Sequence, residues 1–304
     1  MIHLNFSNLL ELENLHYHAV KDYVVNKMNS NDIDEIYKNI RQLPLGVTYP
    51  TVRNINDFSW LHRYILADLS MLNEFVSKYD KFLKFQQFKS LYLNRFAKGN
   101  AIFVDAGKSY NAYTLFCKMD LHVCPYCEDT YLGVYRGVKG KKKIEEFDHF
   151  YPKDNDKYPA LAMCFFNLVP SCPGCNHIKL TKTLGVNPYD SKIEKLTFIY
   201  PNLPIGVNMD SVKKEDCAPL FHAQEGMKVN VSALLLEQRY KQHSSEVYEL
   251  LKKKQDYSEE KLDEIARICS RDKETIRRDF FGKPRSEANG KELRTKMKQD
   301  LIQY

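Results

Sequence analysis

The sequence lacks the features that mark membrane and secreted proteins. No run of about eighteen apolar residues occurs in the chain, and a helix needs roughly that many to cross a bilayer. Glycine is scarce, at 12 residues, whereas Tyr and Phe are abundant, at 20 and 17, which suits a helix-rich globular protein. The polar, amphipathic stretch that follows Met1 is unlike a signal peptide. We therefore expect no membrane span, no oxidising compartment and a cytoplasmic location.

Length and charge narrow the class of protein only in part. At 304 residues the chain can hold two domains and a sizeable core, and it contains no internal repeat and no low-complexity tract. Its formal net charge of +6 is mildly basic, which permits nucleic-acid binding without proving it. The function therefore has to be sought in motifs.

Four of the eight cysteines form two Cys-x-x-Cys pairs, Cys124 with Cys127 and Cys172 with Cys175. Each pair has the spacing with which a tight turn binds one tetrahedral zinc ion, so we predict a structural zinc site of four thiolates. The stretch between the pairs is longer than in a usual zinc ribbon and leaves room for an insert. The alternatives are disulfides or scattered core thiols. The other cysteines lack this spacing and are expected to be small buried residues: Cys117, Cys164, Cys217 and Cys269.

The insert between the pairs contains an Asp148-His149 dipeptide at the end of a strand-like stretch. A neutral imidazole can take a proton from water, and a neighbouring carboxylate can hold a hard divalent ion. Asn176 follows the last paired cysteine, where a helix should begin, and its amide oxygen could complete the metal site; His177 is the alternative ligand. Hydrolysis of a phosphodiester needs an activated water and an ion at the phosphate. This set therefore predicts a one-metal nuclease centre.

The order of these motifs resembles a known family. The pattern C-x2-C, then D-H, then N-x4-C-x2-C-N-x2-K is similar to the HNH (ββα-metal) nucleases that carry a zinc knuckle. The resemblance implies that His149 is the general base and that Asp148 and Asn176 bind one catalytic ion, Mg²⁺ or Mn²⁺. It also implies that Asn167 is the central asparagine that fixes the loop between the two strands.

A looser resemblance concerns one bacterial branch of this family. The stretches D-H-F-Y-P-K, K-Y-P-A-L-A, F-N-L-V-P-S-C and N-P-Y look like the nuclease subunit of Septu-type anti-phage systems, which works beside an ATPase. The resemblance covers residues 117–190. It implies a bacterial cytoplasmic protein with a nucleic-acid substrate, DNA or RNA, and an ATPase partner.

The expected fold class is α+β, with a ββα-metal core and a structural zinc site flanked by mostly helical ends. We divide the chain into a helical N-terminal region 1–110, a nuclease core 111–190, a small β segment 191–232 and a helical C-terminal region 233–304. The core should grip phosphates and by itself read no bases.

Within the core, alternating hydrophobicity predicts a hairpin of residues 131–138 and 144–150. Its tip, residues 139–143, carries four lysines and either is simply solvated or contacts phosphate. Residues 160–166 form a short apolar element that we expect to be helical.

The helix that completes ββα is expected at residues 177–184. Lys179 and Lys182 lie on it and are candidates for binding the scissile strand. The alternative is that both are exposed helix lysines without a role.

Outside the core, periodicity assigns structure but no chemistry. A long helical region is expected at residues 57–97, and its aromatic residues form either core or a partner-binding face. Strands are expected at residues 196–200 and 228–231, joined by a turn. Residues 263–281 faintly resemble a helix-turn-helix, although a charged helical pair is the simpler interpretation.

Two classes of function are compatible with the sequence. The leading hypothesis is a metal-dependent HNH endonuclease. The rival is a non-catalytic zinc-knuckle subunit that binds nucleic acid or acts as a scaffold. The presence of Asp148, His149, Asn167 and Asn176 together favours the enzyme, because a decayed site would have lost at least one of them.

Overall fold

The computed structural model describes residues 1–46, 58–98, 103–105, 108–136, 142–144, 146–154 and 156–303. Its residues fall into two compact units, each built from separate stretches of chain. We call Leu4–Leu121 with Leu132–Thr183 the N-terminal unit, and Met1–His3, His122–Tyr131 and Leu184–Tyr304 the C-terminal unit. Within the described residues, no helix is both long and apolar enough to cross a membrane.

The first part of the N-terminal unit is helical, as predicted. Its helices are α1 (Leu9–Lys27), α2 (Ser30–Ile40), α3 (Ser59–Ile65), α4 (Leu69–Lys78), α5 (Gln87–Leu91) and a π-helical turn (Tyr92–Phe96).

The predicted single helical region at residues 57–97 is divided where local caps start new helices. The Asp68 side chain accepts a hydrogen bond from the amide of Met71 at the start of α4. Such an N-cap satisfies an amide that has no partner within the helix.

The strands of this unit pair antiparallel, two by two. They are β1 (Phe103–Asp105) with β2 (Lys108–Tyr110), β3 (Val134–Arg136) with β4 (Lys142–Ile144), and β5 (Glu146–His149) with β6 (Leu168–Ser171). Helix α6 (Ala112–Met119) lies between β2 and β3 along the chain.

The predicted hairpin is therefore wrong in its second strand. Residues 142–144 pair with β3, but the strand that carries Asp148 and His149 pairs with β6. Strand β6 is buried along its whole length, and β5 is buried from Phe147 to His149. The lysine-rich tip at residues 139–141 lies outside the described residues.

The helix after the second cysteine pair begins earlier than predicted. Helix α7 (Pro173–Lys179) has Cys172 as its N-cap and Pro173 in its first turn, where proline is favoured. It ends because Leu180 adopts a left-handed φ of 48°. The apolar residues 160–166 form two 3₁₀ turns, Pro159–Met163 and Phe165–Asn167, rather than an α-helix.

Aromatic side chains form the core of the N-terminal unit. Tyr64 stacks on Phe75 and Phe88, with ring centroids 6.1 and 5.9 Å apart, and all three side chains are fully buried. Phe85, Phe88, Tyr92 and Phe96 are buried as well, which favours the core over the partner-face interpretation of this aromatic run. Each fully buried ring contributes about 1.5–3 kcal/mol to stability.

The C-terminal unit contains one two-stranded sheet and most of the remaining helices. Its elements are β7 (Thr197–Pro201), β8 (Pro219–Ala223), α8 (Glu225–Ala233), α9 (Leu236–Tyr240), α10 (Ser244–Asp256), α11 (Glu259–Ile268), α12 (Lys273–Phe281), α13 (Arg285–Ala288) and α14 (Thr295–Gln303).

The predicted strand at residues 228–231 is wrong, because these residues belong to α8. The true partner of β7 is β8. Met227, Asn230 and Val231 are buried at helical spacing, and the Asn230 side chain bonds the backbone of Gly185 and Val186. These contacts override the strand-like alternation of valines.

The tail helices are amphipathic and carry many ion pairs. Helices α11 and α12 pack through Leu262, Ala266, Ile276 and Phe281. The cations of α12 pair with carboxylates of the same unit, as in Lys273–Asp263, Arg277–Glu259 and Arg278–Glu287. This supports the charged helical pair over the helix-turn-helix interpretation.

Candidate active site and cysteine cluster

The Asp148-His149 dipeptide lies at the end of β5, inside the N-terminal unit. The register places Asp148 opposite Val169 and His149 opposite Leu168 of β6. Both polar side chains are buried, with exposed fractions of 4% and 2%. Charged groups in such surroundings persist only when they are paired, so the partners of these two residues define the site.

Asn167 holds the loop between β5 and β6. Its amide oxygen accepts a hydrogen bond from the Tyr151 amide at 2.7 Å, and its amide nitrogen donates to the Tyr151 and Leu161 carbonyls at 3.1 and 3.0 Å. The side chain is fully buried. This geometry accords with the predicted loop-fixing role, and its catalytic consequence stays a prediction.

Three successive carbonyls of the turn at Pro159–Met163 accept hydrogen bonds from side chains. The Leu161 carbonyl accepts from Asn167, the Ala162 carbonyl from His149 Nε2 at 3.1 Å, and the Met163 carbonyl from His16 Nε2 at 2.8 Å. One short segment therefore orients the loop asparagine and the candidate base together. His16 is a buried core residue, as expected for a histidine without nearby metal ligands, and burial lowers its pKa to about 4.

These contacts fix the tautomer of His149. A carbonyl oxygen can only accept, so Nε2 carries the proton and Nδ1 carries the lone pair. Nδ1 is buried and has no hydrogen-bond partner among the described residues. Burial, and then the positive charge of Lys153, lower the pKa of His149 well below its usual range, so the ring is neutral at neutral pH. An unprotonated nitrogen with an open lone pair is what a general base requires.

Asp148 is paired with Lys179, which faces inward. The ammonium lies 3.2 and 3.1 Å from the two carboxylate oxygens of Asp148 and donates to the His149 carbonyl at 2.7 Å. Lys179 is fully buried, so the expectation of an exposed helix lysine is wrong for this residue. The physical reason is that a buried carboxylate needs a counter-charge, and Lys179 on α7 supplies it. Lys182 is exposed.

Asn176, on α7, faces the same strand. Its amide nitrogen donates a short hydrogen bond to the carboxylate of Glu146, two residues before Asp148 on β5. Side chains two apart on a strand share a face. Carboxylates and an amide oxygen suit a hard divalent ion, so Asp148, Asn176 and also Glu146 would fit Mg²⁺ or Mn²⁺ in donor chemistry. His177, the alternative ligand, is exposed.

Three further residues at the site were missed from the sequence. Tyr92 packs edge-on against His149, with ring centroids 4.4 Å apart, and its hydroxyl donates to the Phe147 carbonyl. Glu146 bonds Asn176, and Lys153 lies over the Tyr92 ring. Glu146 and Lys153 lie close to the Asp148-His149 dipeptide in sequence and could have been noticed in advance, whereas Tyr92 is far away in sequence.

The two cysteine pairs come together as predicted. The sulfur atoms of Cys124, Cys127, Cys172 and Cys175 are buried and all lie within 4.8 Å of one another. Backbone amides support them, since the Cys175 amide donates to the Cys172 sulfur and the Asp129 amide to the Cys127 sulfur, both at 3.4 Å. Four thiolates at this separation could hold a zinc ion.

Comparison with known proteins finds a relative for part of the chain. The chain is 35% identical to the Septu protein PtuB of Bacillus thuringiensis over 98 residues. The aligned stretch is 32% of this chain and spans 30% of the length of that protein. No family model and no solved structure matches the chain. The similarity supports a relation to the Septu proteins.

The cysteine cluster generates the first prediction. Purified protein should contain about one zinc per chain, and Cys172→Ser should lower both the zinc content and the melting temperature, because metal binding contributes to folding. Elemental analysis and thermal unfolding measure the two effects. Cys117 and Cys269 are exposed, so the expectation of burial was wrong for these two cysteines. Cys269→Ser is therefore a matched control and should change neither property. Folded wild-type protein without zinc would refute the assignment.

The Asp148–Lys179 pair generates the second prediction. Lys179→Met leaves a buried carboxylate without its counter-charge and should lower the free energy of unfolding by about 3–5 kcal/mol. The double variant Asp148→Asn, Lys179→Met removes both charges and should lose less than the single variant. Urea denaturation measures both. Lys182→Met, at an exposed lysine that lies beyond the end of α7 and not on it as predicted, should stay within about 0.5 kcal/mol of wild type. An equally small loss in Lys179→Met would contradict the pairing.

Proposed function

We propose that this protein is a metal-dependent HNH endonuclease that hydrolyses phosphodiester bonds of nucleic acid. The observation that carries the proposal is that Asp148 stands next to a neutral His149 whose Nδ1 lone pair has no partner among the described residues. Along the chain, β5 carries Asp148 and His149, Asn167 lies directly before β6, and α7 carries Asn176, an order compatible with a ββα element.

The chemistry follows from these side chains. His149 Nδ1 takes a proton from the attacking water, while the Ala162 carbonyl holds the ring in the required tautomer through Nε2. Asp148, with Asn176 and Glu146, would hold the divalent ion, which would stabilise charge on the phosphate and on the leaving oxygen. Asn167 keeps the loop after His149 in place, so that the base and the ligands stay aligned.

The Lys179 contact bears on how the site would be used. Its ammonium now serves as the counter-charge of Asp148. A divalent ion at Asp148 would face that ammonium at short range in a poorly solvated place, where repulsion between like charges is strong. We infer that Lys179 shifts away from the carboxylate, or keeps only its bond to the His149 carbonyl, when an ion binds.

The relation to the Septu proteins supports a role in defence against phage. We propose that the chain is the effector nuclease of a bacterial anti-phage system and that an ATPase partner controls it. Control of this kind would suit a nuclease whose general base, His149, and metal-binding carboxylate, Asp148, are nearly closed to solvent. Cleavage would then require a conformational change that exposes these two residues.

The burial of the site also favours a second candidate. His149 and Asp148 are 2% and 4% exposed, and an internal lysine already neutralises the carboxylate. A subunit that retained the fold for binding nucleic acid, without cleaving it, would look the same in these respects. The following experiment separates the two.

The third prediction tests the base. His149→Ala should reduce cleavage by on the order of 10²–10⁴-fold, the usual cost of losing a general base, with zinc content and nucleic-acid affinity retained. His149→Gln should be equally inactive although it keeps a donor for the Ala162 carbonyl. His177→Ala, at the exposed histidine of α7, is the matched control and should cleave like wild type. Nicking of a plasmid and of a structured RNA measures the rates.

Metal dependence gives the same experiment a second arm. Asp148→Ala should weaken the catalytic ion, so part of its activity should return at high Mn²⁺. Zinc content is measured in each preparation, because a chelator could also strip the cysteine cluster. Cleavage by His149→Ala at the wild-type rate would exclude this centre. Wild-type protein that binds but never cuts, alone or with an ATPase partner, would favour the non-catalytic candidate.

The fourth prediction concerns the ATPase. Co-expression of the protein with an ATPase encoded beside it should give a complex that stays together in size-exclusion chromatography. We expect its nuclease activity to depend on the ATPase and on ATP. Separate elution of the two proteins at micromolar concentration would argue against a stable complex.

A further inference from the structure

Lys153 lies beside the candidate base without belonging to the predicted site. Its ammonium is 5.2 Å from the centroid of the Tyr92 ring, and the same ring packs edge-on against His149 at 4.4 Å. Tyr92 is itself held by a hydrogen bond from its hydroxyl to the Phe147 carbonyl at 3.0 Å. The Tyr92 ring is thus held in place and contacts both Lys153 and His149.

The ammonium of Lys153 lacks an ion-pair partner. No carboxylate of the described residues comes within 4.0 Å of it, although Asp148 and Asp154 influence it from further away. Burial lowers the pKa of Lys153, and those two carboxylates partly offset that effect. Among the described residues, its one direct partner is the face of the Tyr92 ring. A cation favours this contact, but the contact leaves the three N–H donors of the ammonium unused.

The loop that carries Lys153 is held in place by several contacts. The Tyr158 amide donates to the Pro152 carbonyl at 3.0 Å, which closes the loop around Lys153. Lys84 donates to the carbonyls of Asp156 and Lys157 at 3.2 and 2.8 Å. These contacts restrain the backbone of the loop, so less backbone entropy is lost when Lys153 binds a ligand.

We propose that the Lys153 ammonium binds a backbone phosphate of the nucleic acid, next to the phosphodiester at which His149 acts. The proposal rests on the proposed function and adds a substrate contact to it. Two lysines lower the pKa of His149 through their positive charge. Lys179 is fully buried and forms an ion pair with Asp148, whereas Lys153 is partly exposed and forms no ion pair among the described residues. Lys153 is therefore the cation that an incoming anion can reach.

The chemistry of the contact points to phosphate rather than to a base edge. Lysine is a compact point charge with three donors, which suits a phosphate oxygen and carries no sequence information. A phosphate held there would bring negative charge to a site that holds two ammonium groups. The contact should thus strengthen binding about equally for every sequence.

The test measures binding by fluorescence anisotropy on the full-length protein with no divalent ion added. The probes are a short labelled DNA duplex, one of its strands and the RNA of the same sequence, each titrated between about 50 and 200 mM salt. The variants are Lys153→Met, Lys153→Gln and Lys153→Arg. Lys157→Met is the matched control, because Lys157 is exposed on the same loop. Zinc content and melting temperature check the fold of each.

Affinity falls as salt rises, so the slope of log affinity against log salt is negative. Loss of one phosphate contact should make this slope less steep by about 0.9 for the duplex, or by about 0.7 for a single strand. We expect this in Lys153→Met and Lys153→Gln, with Lys153→Arg close to wild type and Lys157→Met unchanged. A wild-type slope in both neutral variants would overturn the proposal, as would an equal drop in Lys157→Met or no binding of any probe by wild type. Cleavage is not measured here, so a failed slope test stays distinct from a failed His149 test.

Discussion

A carbonyl group removed from water must find a hydrogen-bond donor, and the turn at Pro159–Met163 presents three such groups in succession. Asn167, His149 and His16 each answer one of them. The three donors come from the loop between two strands, from the end of a strand and from helix α1. The turn therefore fixes the positions of these elements relative to one another. The orientation of the candidate base is thereby tied to the helical part of the N-terminal unit, not only to its own strand.

The positive charges around Asp148 reflect the same constraint, which is that a buried polar or charged group needs a partner. The buried Lys179 forms an ion pair with the Asp148 carboxylate, and Lys153 interacts with the same carboxylate from a greater distance. In the proposed function, a divalent ion alone would add two positive charges to this set, whereas a phosphate bound together with the ion would offset part of that charge. The balance favours joint binding of metal and nucleic acid over binding of either one separately.

The sequence was sufficient for the local features of the site and not for its surroundings. The spacing within each Cys-x-x-Cys pair predicted one shared tetrahedral site, and the two pairs meet. The resemblance to the HNH family assigned Asn167 to the loop, and its hydrogen bonds to the Tyr151 backbone lie there. The pairing of β5 with β6 was missed because hydrophobic alternation marks a strand without naming its partner. The inward turn of Lys179 was missed for a related reason: lysine is nearly always exposed, and its burial depends on a carboxylate that only the folded chain brings near.

The division of the chain into units has a consequence for biosynthesis. The N-terminal unit ends at Thr183, whereas the C-terminal unit includes Leu184–Tyr304. During translation, every contact among Asp148, His149, Asn167 and Lys179 can therefore form while more than a hundred residues are still to be made. Since domains generally fold as units during synthesis, the nascent chain would carry an assembled site before the later helices exist.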